Sequence, residues 1–350
     1  MRRWFRRSHH VASSLLPSLL NLLRPCILDV THPPRLLTSS RLTRHLAGFL
    51  FMRYIKPALT FADQVALLQA RGLTIEDHAF AEETLSHISY YRLSAYLKPF
   101  RQAGTERFAG ATFSDALMLY KFDKDLRLLV SDALEAIEVH FRTRITYHLA
   151  LRGDAFAYVD PIYFVPTFDH RGFLAAIKDL ENKSSDKFVA HFQEKYSEEG
   201  YLPIWMATEL MSFGFISRTY KALTLDLQKE IAEDIGVHQS VLRTWLHTLS
   251  YVRNICAHHS RLWNRELAIS PKFPNKSERW HYLGIEPKRT YGVLVLICDL
   301  LSRISNSTKC KESLKDHLAS ANEMQLAGMW APKNWAAYAP WVATQAKQEG

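Results

Sequence analysis

With 350 residues and 47% hydrophobic content, the chain is large enough to bury one or two compact cores, which excludes a disordered or fibrous protein. Its four cysteines, Cys26, Cys256, Cys298 and Cys310, include no CxxC pair; this excludes a zinc ribbon and a disulfide framework and fits a reducing cytoplasm. The formal charge of +9 is unevenly spread: residues 1–51 hold eight arginines and one aspartate (8 − 1 = +7), leaving 9 − 7 = +2 for the rest, so a nucleic-acid site must be a local basic cluster.

The first fifty residues join an Arg-rich start to a Ser/Leu stretch over 11–23. A secretory signal needs a small-residue cleavage site after the apolar run, and Arg24, Pro25 and Cys26 stand there instead. A mitochondrial transit peptide matches the composition, and translation from Met52 is the third reading and the one adopted. No apolar run reaches the roughly 20 residues of a membrane span, and no membrane association is expected. The expected organisation is a basic N-terminal extension over 1–51, disordered or not translated, followed by one helical domain over 52–345.

From Thr60 the pattern is helical: Thr60 and Asp63 form a capping box, Phe61, Val65 and Leu68 share a face, and Gly72 stops the helix. A second helix places Ala81, Leu85 and Ile88 at core spacing. The strongest signal spans about 114–152, where Leu126, Leu129, Val130, Ala133, Leu134, Ile137 and Phe141 recur at intervals of three and four before Gly153 and Asp154 end it. Between Asp160 and Tyr201 the periodicity fades, predicting loops around one polar helix. Residues 204–223 read as helix interrupted at Ser212–Gly214. Residues 241–263 carry Leu242, Trp245, Leu246, Leu249, Val252 and Cys256 on one face, and a last helix covers 291–304. Alternating strands, glycine-rich phosphate loops and a Walker lysine are absent, so the fold class is all-α, a bundle of six to nine helices.

The densest run of functional side chains is Arg253-Asn254-Ile255-Cys256-Ala257-His258-His259-Ser260-Arg261-Leu262-Trp263-Asn264-Arg265. Asn254 and His258, four apart, share a helix face, whereas Arg253 lies about 100° away and needs its long side chain or a distorted helix end to join them. An imidazole can take a proton from a ribose 2′-hydroxyl or give one to the leaving 5′-oxygen, and a guanidinium can hold the phosphate through two hydrogen bonds. One histidine supplies one proton-transfer group, so two copies facing each other across a dimer are a natural solution. The structural alternative stays open: Arg and His at a helix C-terminus also satisfy carbonyls and complement the dipole, and Asn254 can join two helices. A metal site from Cys256, His259 and His247 has no carboxylate or second cysteine to complete it, so neither metal nor cofactor is expected.

Five ordered blocks resemble the Abi-like (abortive infection, bacteriophage resistance) proteins of the HEPN superfamily. They are Lys56–Thr60, Ile88–Tyr96, Ile137-Glu138 with Phe141–Arg144, Leu202–Trp205 leading to Glu209, Phe213 and Gly214, and Leu249–Arg265 with its RNxxxH core. The resemblance covers about residues 55–340. It implies a HEPN-like helical bundle with additional helices and loops, and a metal-independent endoribonuclease that cleaves RNA by 2′-hydroxyl attack. Arg253 and His258 fall on the matching catalytic residues and Asn254 on the polar residue after the arginine. It further implies phage defence or toxin-like growth arrest, a homodimer, RNA as substrate, and a structured RNA or an antitoxin as a further partner. Arg261, Arg265, His259, Arg142 and Arg144 are the candidate RNA contacts, and Glu138 and His148 the candidate supports. The bland reading of Arg142 to His148, a solvated face opposite the Ile137 and Phe141 stripe, also stands, and a non-catalytic RNA- or protein-binding module is the alternative to the nuclease. Tyr90, Tyr91, Arg92 and Tyr96 read as core with polar tips rather than as base-stacking groups.

Overall fold

A computed structural model describes residues 56–273, 285–305, 308–337 and 340–341; the expectations for residues 1–51 lie outside them. Two compact units divide the chain, Met1–Phe113 and Ser114–Gly350. Among the described residues there are thirteen α-helices and no strand, only isolated β-bridges. The class is all-α as the periodicity predicts. The helices outnumber the six to nine expected because several are short and bear mostly solvated side chains.

In the first unit, α1 (Phe61–Ala70) starts at the foreseen capping box: the Asp63 N–H donates to Thr60 Oγ1 at 3.1 Å and the Asp63 carboxylate reaches back to the Thr60 backbone. Gly72 ends it at φ 90°, with Phe108 O only 2.9 Å from where a Cβ would stand. Two further helices follow, α2 (His78–His87) capped by Asp77 and α3 (Tyr90–Leu97) capped by Ser89. Tyr96 is buried as core, but Tyr91 is 89% exposed, and Tyr90 accepts a hydrogen bond from Arg71 at 3.0 Å. The cluster is therefore split between core and surface, because consecutive helical residues point about 100° apart.

The second unit is organised on α4 (Phe113–Arg152), a 40-residue helix whose residues Leu126, Val130, Leu134, Ile137, Phe141, Ile145 and Leu149 form one buried stripe. Where one polar helix was expected there are two, α5 (His170–Lys183) and α6 (Lys187–Lys195). Each buries a narrow apolar edge, Phe173 and Ile177 in one and Val189 and Phe192 in the other, beneath Lys- and Glu-rich faces that mask the period. The short α7 (Ile204–Ala207) tightens into a 3₁₀ turn, and α8 (Phe213–Ala222) begins at the Ser212 N-cap, which is the predicted interruption. After α9 (Leu225–Glu233), α10 (Gln239–Ala257) packs against α8 and α9. The bundle closes with α11 (Thr290–Ile304), α12 (Lys309–Ala319) and α13 (Glu323–Met329); the last two follow the helix expected to be final.

Two half-buried histidines lead us to expect a pH dependence of this unit's stability. Burial lowers the pKa of His140 and of His317, whose Nε2 atoms find no hydrogen-bond partner among the described residues. His317 stacks on Phe122, with ring centroids 4.3 Å apart. A folded pKa below the unfolded one makes the neutral ring's contribution fully present above the ordinary 6.5 and lost as the pH falls through the folded value. Tm is therefore expected to fall on acidification below 6.5, and the fall to shrink in a His140→Gln/His317→Gln double variant. Equal acid sensitivity of variant and wild type would assign the effect to other groups.

Candidate functional site

The helix carrying the RNxxxH residues stops earlier than its apolar pattern suggests. Periodicity runs to Trp263, but α10 ends at Ala257. His258 is the C-cap, its N–H donating to Asn254 O at 3.0 Å, and His259 adopts φ 53°. The N–H groups of His259 and Ser260 then close on Cys256 O and Ile255 O, both at 2.9 Å, a Schellman ending with histidine where glycine is usual. A left-handed non-glycine residue costs on the order of 1 kcal/mol, so tertiary anchors must hold this end.

Those anchors come from three elements. On α4, Asp123 is fully buried, and its Oδ1 accepts from the Leu262 N–H at 3.1 Å and the Trp263 N–H at 2.6 Å while Oδ2 pairs with Arg127. From α11, Thr290 donates to Leu262 O at 2.9 Å. From α13, Gln325 O accepts the Trp263 indole N–H at 2.9 Å, and Gly328 lies on the Trp263 ring so closely that a Cβ would stand 2.2 Å from it. Gly328→Ala is accordingly expected to destabilise the unit by about 1–3 kcal/mol through overpacking, read as a lower urea midpoint; an unchanged midpoint would mean that α13 does not hold this ring in solution.

At the helix end, Asn254 and His258 are exposed and Arg253 keeps 41% of its side chain in solvent. The Arg253 Nε lies 3.6 Å from Glu138 Oε2 on α4. Glu138 is also paired with Arg142, 3.0 Å away across one helical turn. Burial raises the Glu138 pKa, and the two guanidinium groups, Arg253 before Arg142, oppose that rise. Arg142 in addition meets Glu209 at 3.2 Å and donates to Met211 O at 3.0 Å. The geometry thus joins Arg253, Glu138 and Arg142 in one chain of charges, with Asn254 next to Arg253 on α10 and His258 at the helix C-cap.

The other predicted residues are placed differently. Arg144 donates through Nε to Asp234, the C-cap of α9, at 2.6 Å, and His148 Nε2 lies 2.8 Å from the same carboxylate, so both belong to the seam between α4 and α9 rather than to the end of α10. His259 is exposed, while Arg261 and Arg265 sit half-buried in the loop after α10, where Arg265 Nε donates to Arg261 O at 2.7 Å. Cys256 is buried and its thiol is pushed up to about 12 by that burial, so it stays protonated at neutral pH. No group of three or more His, Cys, Asp or Glu side chains among the described residues is arranged to hold a metal ion. Nor is any helix there long and apolar enough to cross a membrane.

Sequence reasoning missed Asp123, which stands 140 residues before Trp263 and carries no local signal of its task. Besides Arg127, its partners are the backbone N–H groups of Leu262 and Trp263, which leave no trace in residue identity.

Residues 83–264, more than half of the chain, match the family model for Abi-like protein. The match takes in the α4, α8 and α10 residues described above and ends after Trp263; it leaves out the Lys56–Thr60 block and everything from Arg265 onward. No curated protein and no solved structure matches the chain.

Proposed function

The chain belongs to the Abi-like protein family, and on that premise we propose that the end of α10 is the RNA-cleaving centre of an abortive-infection phage-defence effector. The observation that carries this reading is an exposed imidazole, His258, five residues after a guanidinium that a buried carboxylate holds: Glu138 engages the Nε edge of Arg253 at 3.6 Å. That leaves the end-on edge of the guanidinium available for two parallel hydrogen bonds to a phosphate.

In this mechanism His258 takes the proton from a ribose 2′-hydroxyl as the 2′-oxygen attacks the adjacent phosphorus. Arg253 stabilises the charge that builds on the non-bridging oxygens, and the P–O5′ bond breaks as the 5′-oxygen receives a proton. The products are a 2′,3′-cyclic phosphate and a 5′-hydroxyl. Proton removal and proton donation need two groups, so a homodimer that brings two α10 ends together supplies both. Asn254, exposed on the His258 face, orients the substrate. Glu138 and Arg142 position Arg253, and Arg261, Arg265 and His259 contact RNA beyond the scissile bond.

The test is to induce wild type and His258→Ala in cells, follow growth and map RNA ends by their chemistry. New 2′,3′-cyclic phosphate ends that depend on His258 are expected. Identical ends in both strains, with RNA bound equally by the two purified proteins, would instead assign a non-catalytic binding role.

A further inference from the structure

Beyond the family match, the loop that follows the RNxxxH helix meets two later segments and builds a surface that this motif does not predict. The Leu267 N–H donates to Lys288 O at 2.8 Å, and Glu266 bridges to Arg289, whose guanidinium lies 3.2 Å from the Glu266 carboxylate. The Arg289 guanidinium in turn lies over the indole of Trp330, 4.4 Å from the ring centroid. Trp330 is the C-cap of α13, the helix seated on Trp263, so the whole assembly is built out from residues 262–267.

Three features of Trp330 set it apart from the buried tryptophans. It sits at φ 63°, the left-handed position of a Schellman ending in which the Ala331 N–H donates to Leu326 O at 3.1 Å; glycine suits that position best, and a bulky residue costs on the order of 1 kcal/mol there. It is 53% exposed, which leaves an indole face open although Arg289 lies over the ring. And Glu266 pins the guanidinium, so the Arg–Trp stack is preorganised rather than formed on binding. Arg261 and Arg265 on one segment and Lys288 on the other supply positive charge against Glu266 and Glu286, a balance that suits a phosphate backbone.

We propose that Trp330, backed by Arg289, is a stacking platform for an unpaired nucleobase of the RNA strand that enters the α10 site. The inference rests on the RNA-cleaving reading for its substrate and adds to it a preference for single-stranded over duplex RNA. A base on the open indole face completes a guanidinium–indole–base sandwich, and bases inside a duplex cannot reach it.

The test uses the full chain and a 2′-O-methyl RNA of about a dozen nucleotides, which cannot undergo 2′-hydroxyl attack, as a single strand and as a duplex of the same sequence. Trp330→Gly removes the ring and relieves the left-handed backbone, which offsets the packing lost with the indole, and circular dichroism on the same preparation reads the fold. It is expected to weaken single-strand binding about tenfold and leave duplex binding unchanged. Arg289→Lys keeps the charge, loses the planar stack and should weaken single-strand binding by less. Wild type that binds no single strand, Trp330→Gly that binds it as tightly as wild type, or parallel losses for strand and duplex would each overturn the platform. Cleavage of unmodified RNA is assayed with the same proteins. Trp330-dependent binding without cleavage keeps the platform and removes the nuclease; cleavage with Trp330-independent binding does the reverse.

Discussion

On the proposed mechanism, His258→Ala is expected to lower RNA cleavage by on the order of 10³-fold and to leave the unfolding temperature within about a degree of wild type. The two halves of that expectation have separate causes. The imidazole is exposed at the C-cap, so truncating it opens no cavity, and the hydrogen bond that closes the helix there runs from the His258 backbone N–H to Asn254 O and survives the change. Proton transfer, by contrast, is the task that the proposed mechanism gives to this imidazole itself. Arg253 calls for a different substitution. Arg253→Ala would deprive Glu138, a carboxylate whose pKa burial already raises, of its leading compensating cation and would confuse stability with catalysis. Arg253→Lys keeps a charge near Glu138 while abolishing the planar fork, and is expected to cost about 10²-fold in cleavage with little change in Tm. A fluorogenic RNA substrate and calorimetry on the same preparations read both quantities. Wild-type cleavage by His258→Ala would remove His258 from the mechanism.

What the sequence discloses about this fold follows the range of the forces involved. The capping box at Thr60 and Asp63, the buried stripe of α4 and the Ser212 break before α8 are local, and each is recovered. The Glu138–Arg142 pair is equally local, since helix geometry alone brings residues four apart together. The pattern overruns the end of α10 by six residues because no glycine or proline marks it: the break is made by His259 in a left-handed conformation, held by contacts to Asp123, Thr290 and Gln325 that are far apart in the chain. Helices α12 and α13 escape notice since only Leu314, Leu318 and Met329 among their residues are buried apolar side chains. The site divides in the same way. Arg253, Asn254 and His258 fall within six residues and are legible as a cluster. The carboxylate that fixes Arg253 and the engagement of Arg144 and His148 by Asp234 depend on how α4 lies against α10 and α9.

Asp123→Ala tests that last dependence directly and is expected to destabilise the second unit by about 3–5 kcal/mol. The alanine withdraws the acceptor shared by the Leu262 and Trp263 N–H groups and leaves Arg127, almost wholly buried, without this carboxylate. The loss is thus the desolvation of a charge plus two backbone donors, larger than the net worth of any one of the bonds. Asp123→Asn keeps one oxygen for the backbone donors but offers Arg127 no charge, so its cost should be roughly half as great. Removing the Arg127 charge as well, in Asp123→Ala/Arg127→Met, should recover part of the loss, because the protein then no longer buries a cation deprived of this carboxylate. Urea unfolding gives the three midpoints, and amide exchange at Leu262 and Trp263 reports whether the loop has come free. Released amides in a protein that still unfolds cooperatively would separate the two duties of Asp123: one to the core, the other to the loop that begins at His258 and carries Arg261 and Arg265. Since that loop also seats the segment facing Arg289, its release should impair RNA binding and cleavage together, whereas His258→Ala is expected to impair cleavage alone. Wild-type midpoints and protected amides in Asp123→Ala would mean that the loop is held by Thr290 and Gln325 without it.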